Sequence, residues 1–229
     1  HGVVRRLSSR NSWSSQWLQL MRTRSFSVPT LRVCTNEITS ERIPDTHEIF
    51  TDKPAKAPWR IGGEKSAHET LDTFLESRGR DYQREMSSPL TAEDSCSRLS
   101  AYIAYGNISM RTVFQRIELQ KRRFRDSASH RSRQNKTWMT SLTSYEKRLR
   151  WHCHFIQKLE DEPKIEFENM SRSYDGLREN EFNDEFFEAW KSGSTGFPMV
   201  DACIRCLRQT GWINFRMRAM LVSFASYHL

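Results

Sequence analysis

The stretch from Trp190 to Phe224 constrains this chain more than any other. It spells a loop, a helix, a glycine turn and a second helix. Pro198 suits the first turn of a helix, where its missing N–H leaves no bond unmade. Val200, Cys203, Ile204 and Leu207 then recur at the spacing of a single apolar stripe. Gly211 ends that helix, and the next runs from about Trp212 to the end of the chain. This last helix is apolar almost all round, which predicts burial. It nevertheless carries Arg216 and Arg218. Asn214 and Phe215 lie one turn before Arg218, and Leu221 and Val222 one turn after it. A guanidinium on such a face needs a carboxylate, a phosphate or another anion to offset its desolvation.

Upstream, Gly62-Gly63-Glu64 opens a segment in which Ala67, Leu71, Phe74 and Leu75 fall at helical spacing, ending near Gly79. Taken alone this is an ordinary amphipathic helix. The string from Ser95 to Ser100 leads into Tyr102, Ile103 and Tyr105, and gathers hydroxyls and N–H groups where a helix begins. Such a start offers donors to a phosphate, although Ser100 reads equally well as a plain N-cap. A further helix is predicted from Ser141 to Leu159, with Tyr145, Leu149, Trp151, His152, Phe155 and Ile156 along it. Residues 1–60 show one short helical face, formed by Trp13, Trp17, Leu20 and Met21. From Val28 to Trp59, Pro29, Pro44, Pro54 and Pro58 mark an extended linker.

The formal net charge of +8 and the pI near 9.4 fit a polyanionic partner. Much of the charge sits between residues 116 and 138, in Arg116, Lys121, Arg122, Arg123, Arg125, Arg131, Arg133 and Lys136. These form either a solvated face or a contact to a DNA backbone. No apolar run reaches membrane-spanning length and no signal peptide is legible, so neither membrane nor secretion is expected. Five scattered cysteines point to reduced thiols in a cytoplasmic setting. His152 and His154 point to nearly opposite sides of a helix. Cys203-x-x-Cys206 is a lone pair, and no metal is expected. Asp201 is either a structural carboxylate or the partner of a nearby arginine. Glu146 and Arg150 have the spacing of an ordinary helix salt bridge. No serine-histidine-aspartate or Walker-type pattern is present.

The run Trp190-x-x-Gly193-x-Thr195-Gly196-Phe197-Pro198-x-Val200-Asp201-Ala202, followed by Gly211-Trp212 and Arg216-x-Arg218, resembles the FAD-binding domain of the photolyase/cryptochrome family. The Gly62 segment resembles the opening helix of that domain. The resemblance implies an all-α, multi-helix FAD-binding domain over residues 61–229 and an irregular N-terminal arm over residues 1–60. In the family such an arm joins an α/β antenna domain, which these residues lack. It also implies a truncated domain. The chain starts at His1 and stops at Leu229 within an apolar helix that has no C-cap signal, and is read as an internal piece of a longer protein.

By the same resemblance Tyr82 and the string Cys96, Ser97, Arg98, Leu99 and Ser100 match the part of the FAD site that holds the pyrophosphate, with Cys96 in place of a threonine. Arg218 joins them at the cofactor. Trp151 is the counterpart of a tryptophan that stacks on a flipped-out pyrimidine pair. The arginine following it in the family is His152 here, or is replaced by Arg150. Phe215 and Arg216 complete the residues expected at DNA, Phe215 standing where the family has an asparagine unless Asn214 takes that role. Trp190 matches the surface end of a tryptophan chain that conducts electrons to the flavin. The inner tryptophans and an Asp-x-Asp segment at the flavin ring fall beyond position 229.

The expected activity is light-driven repair of pyrimidine dimers by electron transfer from FAD, with little or none of it in this piece alone. A cryptochrome-type photoreceptor, signalling through a protein partner without repair, and a basic helical module that binds nucleic acid without catalysis are the alternatives. A monomer in the cytoplasm, at the nucleoid in a bacterium, completes the expectation.

Overall fold

Helices form where the apolar spacing places them, and their lengths follow the caps. The computed structural model describes residues 10–26, 30, 41–49, 61–128, 131–177 and 180–229. In chain order the helices are α1 (Arg10–Arg22), α2 (Thr46–Ile49), α3 (Glu64–Glu76), α4 (Tyr82–Glu85), α5 (Ala92–Ser95), α6 (Ser100–Ala104), α7 (Met110–Asp126), α8 (Arg133–Asp161), α9 (Asp184–Ser192), α10 (Pro198–Thr210) and α11 (Phe215–His228). No strand occurs among the described residues. Ser109, Ser132, Asn183 and Asn214 cap α7, α8, α9 and α11, each accepting a hydrogen bond from the N–H three residues on. The helix expected from Ser141 starts earlier, because the Ser132 cap nucleates it one residue before Arg133.

Two apolar cores organise these helices. The larger gathers Leu71 and Phe74 of α3, Val113, Phe114 and Ile117 of α7, and Trp138, Leu142, Tyr145 and Leu149 of α8. The helix predicted within the arm also belongs to it. Trp17 of α1 is fully buried, its ring edge-on to Phe114 at 5.3 Å. Gln115 closes the end of α1 by donating to the carbonyls of Met21 and Thr23, both at 2.9 Å, and the Trp13 indole donates to Gln157 at 2.7 Å. Within the arm, Arg10–Arg22 are therefore regular helix packed on the larger core. Of the segment between Val28 and Trp59, residue 30 and residues 41–49 are described, and they hold the single turn α2. Pro29, Pro54 and Pro58 lie outside the described residues.

The smaller core joins α10 to α11 through Val200, Cys203, Ile204, Ile213 and Leu221, with Trp190 of α9 against it. Gly193 stops α9 in the left-handed region at φ 75°. A side chain there would also meet Asp201 O and Arg205 Cγ at 3.1 Å, so glycine is needed twice over. Asp201 then folds the following loop over α10. Its carboxylate accepts from Thr195 N at 2.8 Å, Thr195 Oγ1 at 2.6 Å and Gly196 N at 3.1 Å. The Thr195 hydroxyl, opposed by partial burial and helped by the two N–H groups and by Arg205, holds its pKa below the usual aspartate value. Of the two sequence readings of Asp201, the structure forms the structural one.

The expected burial of the last helix is not what the structure shows. Only Leu221 of α11 is buried, whereas Phe215, Val222 and Tyr227 stand exposed. The physical reason is local. α11 packs on α10 along one edge, through Met217, Met220, Leu221 and Phe224, and Phe215, Val222 and Tyr227 lie off that edge.

The bend between α3 and α4 depends on Gly79, where an added Cβ would lie 2.5 Å from Phe74 O and 2.9 Å from the Phe74 ring. Gly79→Ala is expected to lower stability by about 1–3 kcal/mol in urea denaturation. Gly62→Ala, where a Cβ meets nothing within 4 Å, is the control and should leave the midpoint unmoved.

Candidate functional site

The residues matched to the cofactor site converge where the two cores meet, and an arginine not singled out by sequence builds the place. Arg78 follows the last turn of α3. Its guanidinium donates to the carbonyls of Thr70 at 3.0 Å, Ser97 at 3.3 Å and Cys96. Charge-assisted bonds of this kind are among the stronger ones in a protein. They pin the 96–97 backbone to α3 and fix where Cys96 and Ser97 present their side chains.

Beneath that loop lies an aromatic knot. The Phe74 ring meets Tyr82 at 5.8 Å and Tyr145 at 4.8 Å, and the two tyrosines meet at 5.4 Å, all edge-on. Edge-to-face contacts of this sort add to the gain from burial alone. Burial drives the Tyr82 pKa upward, with the Cys96 thiol and Tyr145 adding to it and Arg148 opposing it. Tyr145 is likewise pushed up by burial, while a hydrogen bond with Ser97 works the other way. Burial pushes the Cys96 thiol up to about 11, against the pull of Arg78 and Arg218. Tyr82, Cys96, Ser97, Tyr145, Arg148 and Arg218 therefore share one electrostatic neighbourhood, assembled from α4, the 96–97 loop, α8 and α11.

The other matched positions are spread more widely. Leu99 is fully buried and serves the core. Arg98 adopts φ 62°, pairs with Glu93 at 3.0 Å and lies 4.2 Å from the centre of the Trp212 ring. It thus ties the 96–100 string to the turn before α11. Ser100 is not the N-cap. Leu99 precedes it with helical dihedrals, and α6 is five residues long, too short to sum a sizeable dipole at its start. Trp190 sits in the smaller core, stacked with Phe187 at 5.7 Å, and its indole nitrogen is buried with no hydrogen-bond partner among the described residues.

At the expected DNA positions the structure separates neighbours in sequence. Trp151 is exposed and tilts against Phe155 at 5.6 Å. Arg150 turns the opposite way, bonding Glu146 and lying 5.5 Å from the centre of the Trp17 ring. The helix salt bridge read from sequence is formed, and Glu146 also takes Lys121 at 2.8 Å. His152 is half-buried, and that burial lowers its pKa. Phe215 is exposed, 6.0 Å from the Arg148 guanidinium, and Arg216 is exposed beside it. Asn214 is spent on structure. It caps α11 by accepting from Met217 N at 2.9 Å, and it donates to Ser88 O at 2.9 Å across the two cores.

Sequence reasoning missed Arg78, which has no periodic signal, and Arg148. The latter was findable, since it stands three residues before Trp151 on the same side of α8. Among the described residues no group of three or more His, Cys, Asp or Glu side chains is arranged to hold a metal ion, and the four described cysteines are free. No described helix is long and apolar enough to cross a membrane.

A helical domain with a hydroxyl loop, a tyrosine pair and arginines at the junction of two cores defines a class, and comparison places it. Residues 145–229 match the model of the FAD binding domain of DNA photolyase. The deoxyribodipyrimidine photo-lyase of Vibrio cholerae is 31% identical over 177 residues, covering 75% of this chain and 34% of its own length. Cryptochrome-2 of Arabidopsis thaliana is 29% identical over 185 residues, covering 78% of this chain and 28% of its own. The crystal structure of a bacterial class III photolyase from Agrobacterium tumefaciens superposes with a TM-score of 0.60 at 30% identity, over 73% of this chain and 31% of that one. The chain is thus similar to photolyases and cryptochromes, and it spans about a third of the length of the curated relatives it matches.

The Cys96 environment yields a direct test. Its folded pKa near 11 lies above the ordinary thiol value of 9.0. The native state therefore holds the proton more tightly, and the stability this contributes is complete below pH 9.0 and lost as the pH rises through about 11. Peptide-resolved alkylation of the native chain should show Cys96 reacting only toward that upper range, while in urea it reacts with the profile of an unperturbed thiol.

Proposed function

We propose that this chain forms part of the flavin site of a light-driven DNA repair protein of the deoxyribodipyrimidine photolyase type. The observation that carries the reading is the convergence of Tyr82, Cys96, Ser97, Arg148 and Arg218 at the junction of the two cores. These residues suit an anionic cofactor. The Arg218 guanidinium is exposed, has no ion-pair partner among the described residues, and lies close enough to Cys96 to favour its thiolate. Bound FAD would supply light absorption and the electron that splits a pyrimidine dimer.

The chain's own residues position and shield. Ser97 offers a hydroxyl to a phosphate from a loop that Arg78 holds still, while Cys96 offers a weaker donor where the family has a threonine. Arg218 supplies the positive charge. Trp151 offers an exposed indole face for a base taken out of the duplex. Trp190 offers an oxidisable ring at the smaller core. The partner on this reading is DNA containing pyrimidine dimers, and the protein acts where such DNA is, in the cytoplasm or at the nucleoid.

One observation favours a second reading. The Asn214 side chain is committed to Met217 N and Ser88 O, and Phe215 follows it, so neither presents an amide to a substrate. A cryptochrome-type photoreceptor, which keeps FAD and signals to a protein partner, needs no such amide.

The test is flavin absorbance and fluorescence on titrating FAD into the chain, beside a longer polypeptide of the relatives' length that contains it. Retention by either supports the flavin reading. Arg218→Ala should then weaken retention by about tenfold or more, as expected when a charge-assisted bond to a phosphate is lost. Light-dependent dimer repair by the longer protein separates photolyase from cryptochrome. Failure of both polypeptides to retain FAD would sink the flavin reading.

A further inference from the structure

Four arginines stand apart from the paired cations of this chain. Arg116 pairs with Asp72 at 2.5 Å, Arg150 bonds Glu146, and Lys158, Arg172 and Lys191 each have a carboxylate three or four residues away. Arg22, Arg24, Arg122 and Arg125 are exposed, and none of them makes an ion pair among the described residues. Three of the four, Arg22, Arg24 and Arg122, line a single cleft of about 640 Å³ between the end of α1 and the middle of α7.

Both sides of this cleft are held in place. Gln115 of α7 donates to the carbonyls of Met21 and Thr23, and the Thr23 hydroxyl donates to Leu20 O at 2.7 Å. The backbone that carries Arg22 and Arg24 is thereby tied to α7. Gln115, Leu119 and Arg122 succeed one another at steps of four and three residues, which puts them on one side of that helix. Phe114, fully buried, and Leu119, 45% exposed, give the cleft an apolar lining. Ser25 adds an exposed hydroxyl.

One carboxylate borders the cleft, that of Glu118, and it is already engaged. Lys121 bonds it at 2.8 Å and bonds Glu146 at the same distance. Burial works against the Glu118 carboxylate, but Lys121, with Arg125 and Arg22 behind it, holds its pKa below the usual glutamate value. Glu118 therefore keeps its charge and gives it chiefly to Lys121. The three guanidiniums of the cleft are left to an anion from outside. A guanidinium binds phosphate through paired N–H groups and also stacks on planar rings. The volume exceeds what a bare phosphate would fill and falls within the range of clefts that take small organic ligands, which combine an apolar wall with a few polar groups.

We propose that this cleft binds a nucleoside polyphosphate, its phosphates held by Arg22, Arg24, Arg122 and the Ser25 hydroxyl and its base laid against Leu119. The cleft shares no residue with the Tyr82–Cys96 neighbourhood, and the inference does not draw on the flavin reading.

The experiment is titration calorimetry of the full chain with ATP, tripolyphosphate and adenosine, free of divalent cations and at low salt, where screening is weak. ATP should bind and adenosine should not. The triple variant Arg22→Gln, Arg24→Gln, Arg122→Gln should lose about tenfold or more in ATP affinity. The variant Lys65→Gln, Arg172→Gln, Lys191→Gln removes the same charge from paired positions and should leave that affinity unchanged. Leu119→Ala should weaken ATP and leave tripolyphosphate unmoved. Circular dichroism checks that each variant remains folded. No ATP binding by the parent chain, an equal loss in the paired-position variant, full affinity in the cleft variant, or a Leu119→Ala effect that does not separate the two ligands each overturns the site. Displacement of ATP by an undamaged duplex assigns the cleft to nucleic acid and overturns it too. Because FAD also carries phosphates, Arg218→Ala is titrated with ATP and the cleft variant with FAD. ATP binding lost in Arg218→Ala but kept in the cleft variant places the ligand at the flavin site and defeats the proposal. FAD retained without ATP binding defeats the cleft alone, and ATP binding at the cleft without FAD retention defeats the flavin reading alone.

Discussion

The half-buried guanidinium of Arg78 is the constraint on which the site depends. Three carbonyls from two segments converge on it, those of Thr70, Cys96 and Ser97. A buried carbonyl without a donor is costly, and here a single side chain serves three. The chain can therefore leave the regular ladder between α5 and α6 without losing its backbone bonds. The same contact explains why Gly79 must lack a side chain. The backbone after Arg78 turns directly against Phe74, whose ring anchors the Tyr82 and Tyr145 knot. Loop, turn and aromatic knot are one mechanical unit.

The two cores are joined by few but directional contacts. Asn214 reaches Ser88 O, Arg98 lies on Trp212, and Arg148 lies near Phe215. Each crosses from the smaller core to the larger within the residues that surround the candidate site. Apolar burial fixes each core separately, while polar and cation–π contacts set how they face each other. A site at such a junction takes hydroxyls from one side and guanidinium from the other. The Cys96 thiol reports this arrangement, since it feels Arg78 from its own core and Arg218 from the other.

Much of the fold was legible because helical spacing and caps are local. The α10 stripe, the Gly211 turn, the α3 pattern and the Trp13–Trp17 face could all be read residue by residue. The burial of α11 was misread because periodicity reports what a helix would bury and not what lies beside it. The site was legible only in part. Tyr82, Cys96, Ser97 and Arg218 stood out through motif spacing, whereas Arg78 acts on backbone carbonyls, which leave no trace in side-chain patterns. Ser100 looked like a cap because the sequence does not say that Leu99 already has helical dihedrals. The pairing of the basic run was hidden because Asp72, which takes Arg116, and Glu146, one of the two partners of Lys121, lie 44 and 25 residues away in the chain.

The exchange at positions 214 and 215 bears on what the site can do. A free amide at this junction would present both a donor and an acceptor. Asn214 has spent its acceptor on the α11 cap and its donor on Ser88, so releasing it would uncap the helix and remove one of the contacts that join the two cores. Phe215 offers a ring face toward Arg148 instead. A cation held over a ring keeps its charge available to an anion on its other side. Arg148 also acts on Tyr82 and lines the cleft that contains Trp151. It therefore borders both the Tyr82–Cys96 neighbourhood and the cleft that contains Trp151. What positions 214 and 215 present at this junction is therefore a ring beside a guanidinium, with the amide turned to structure.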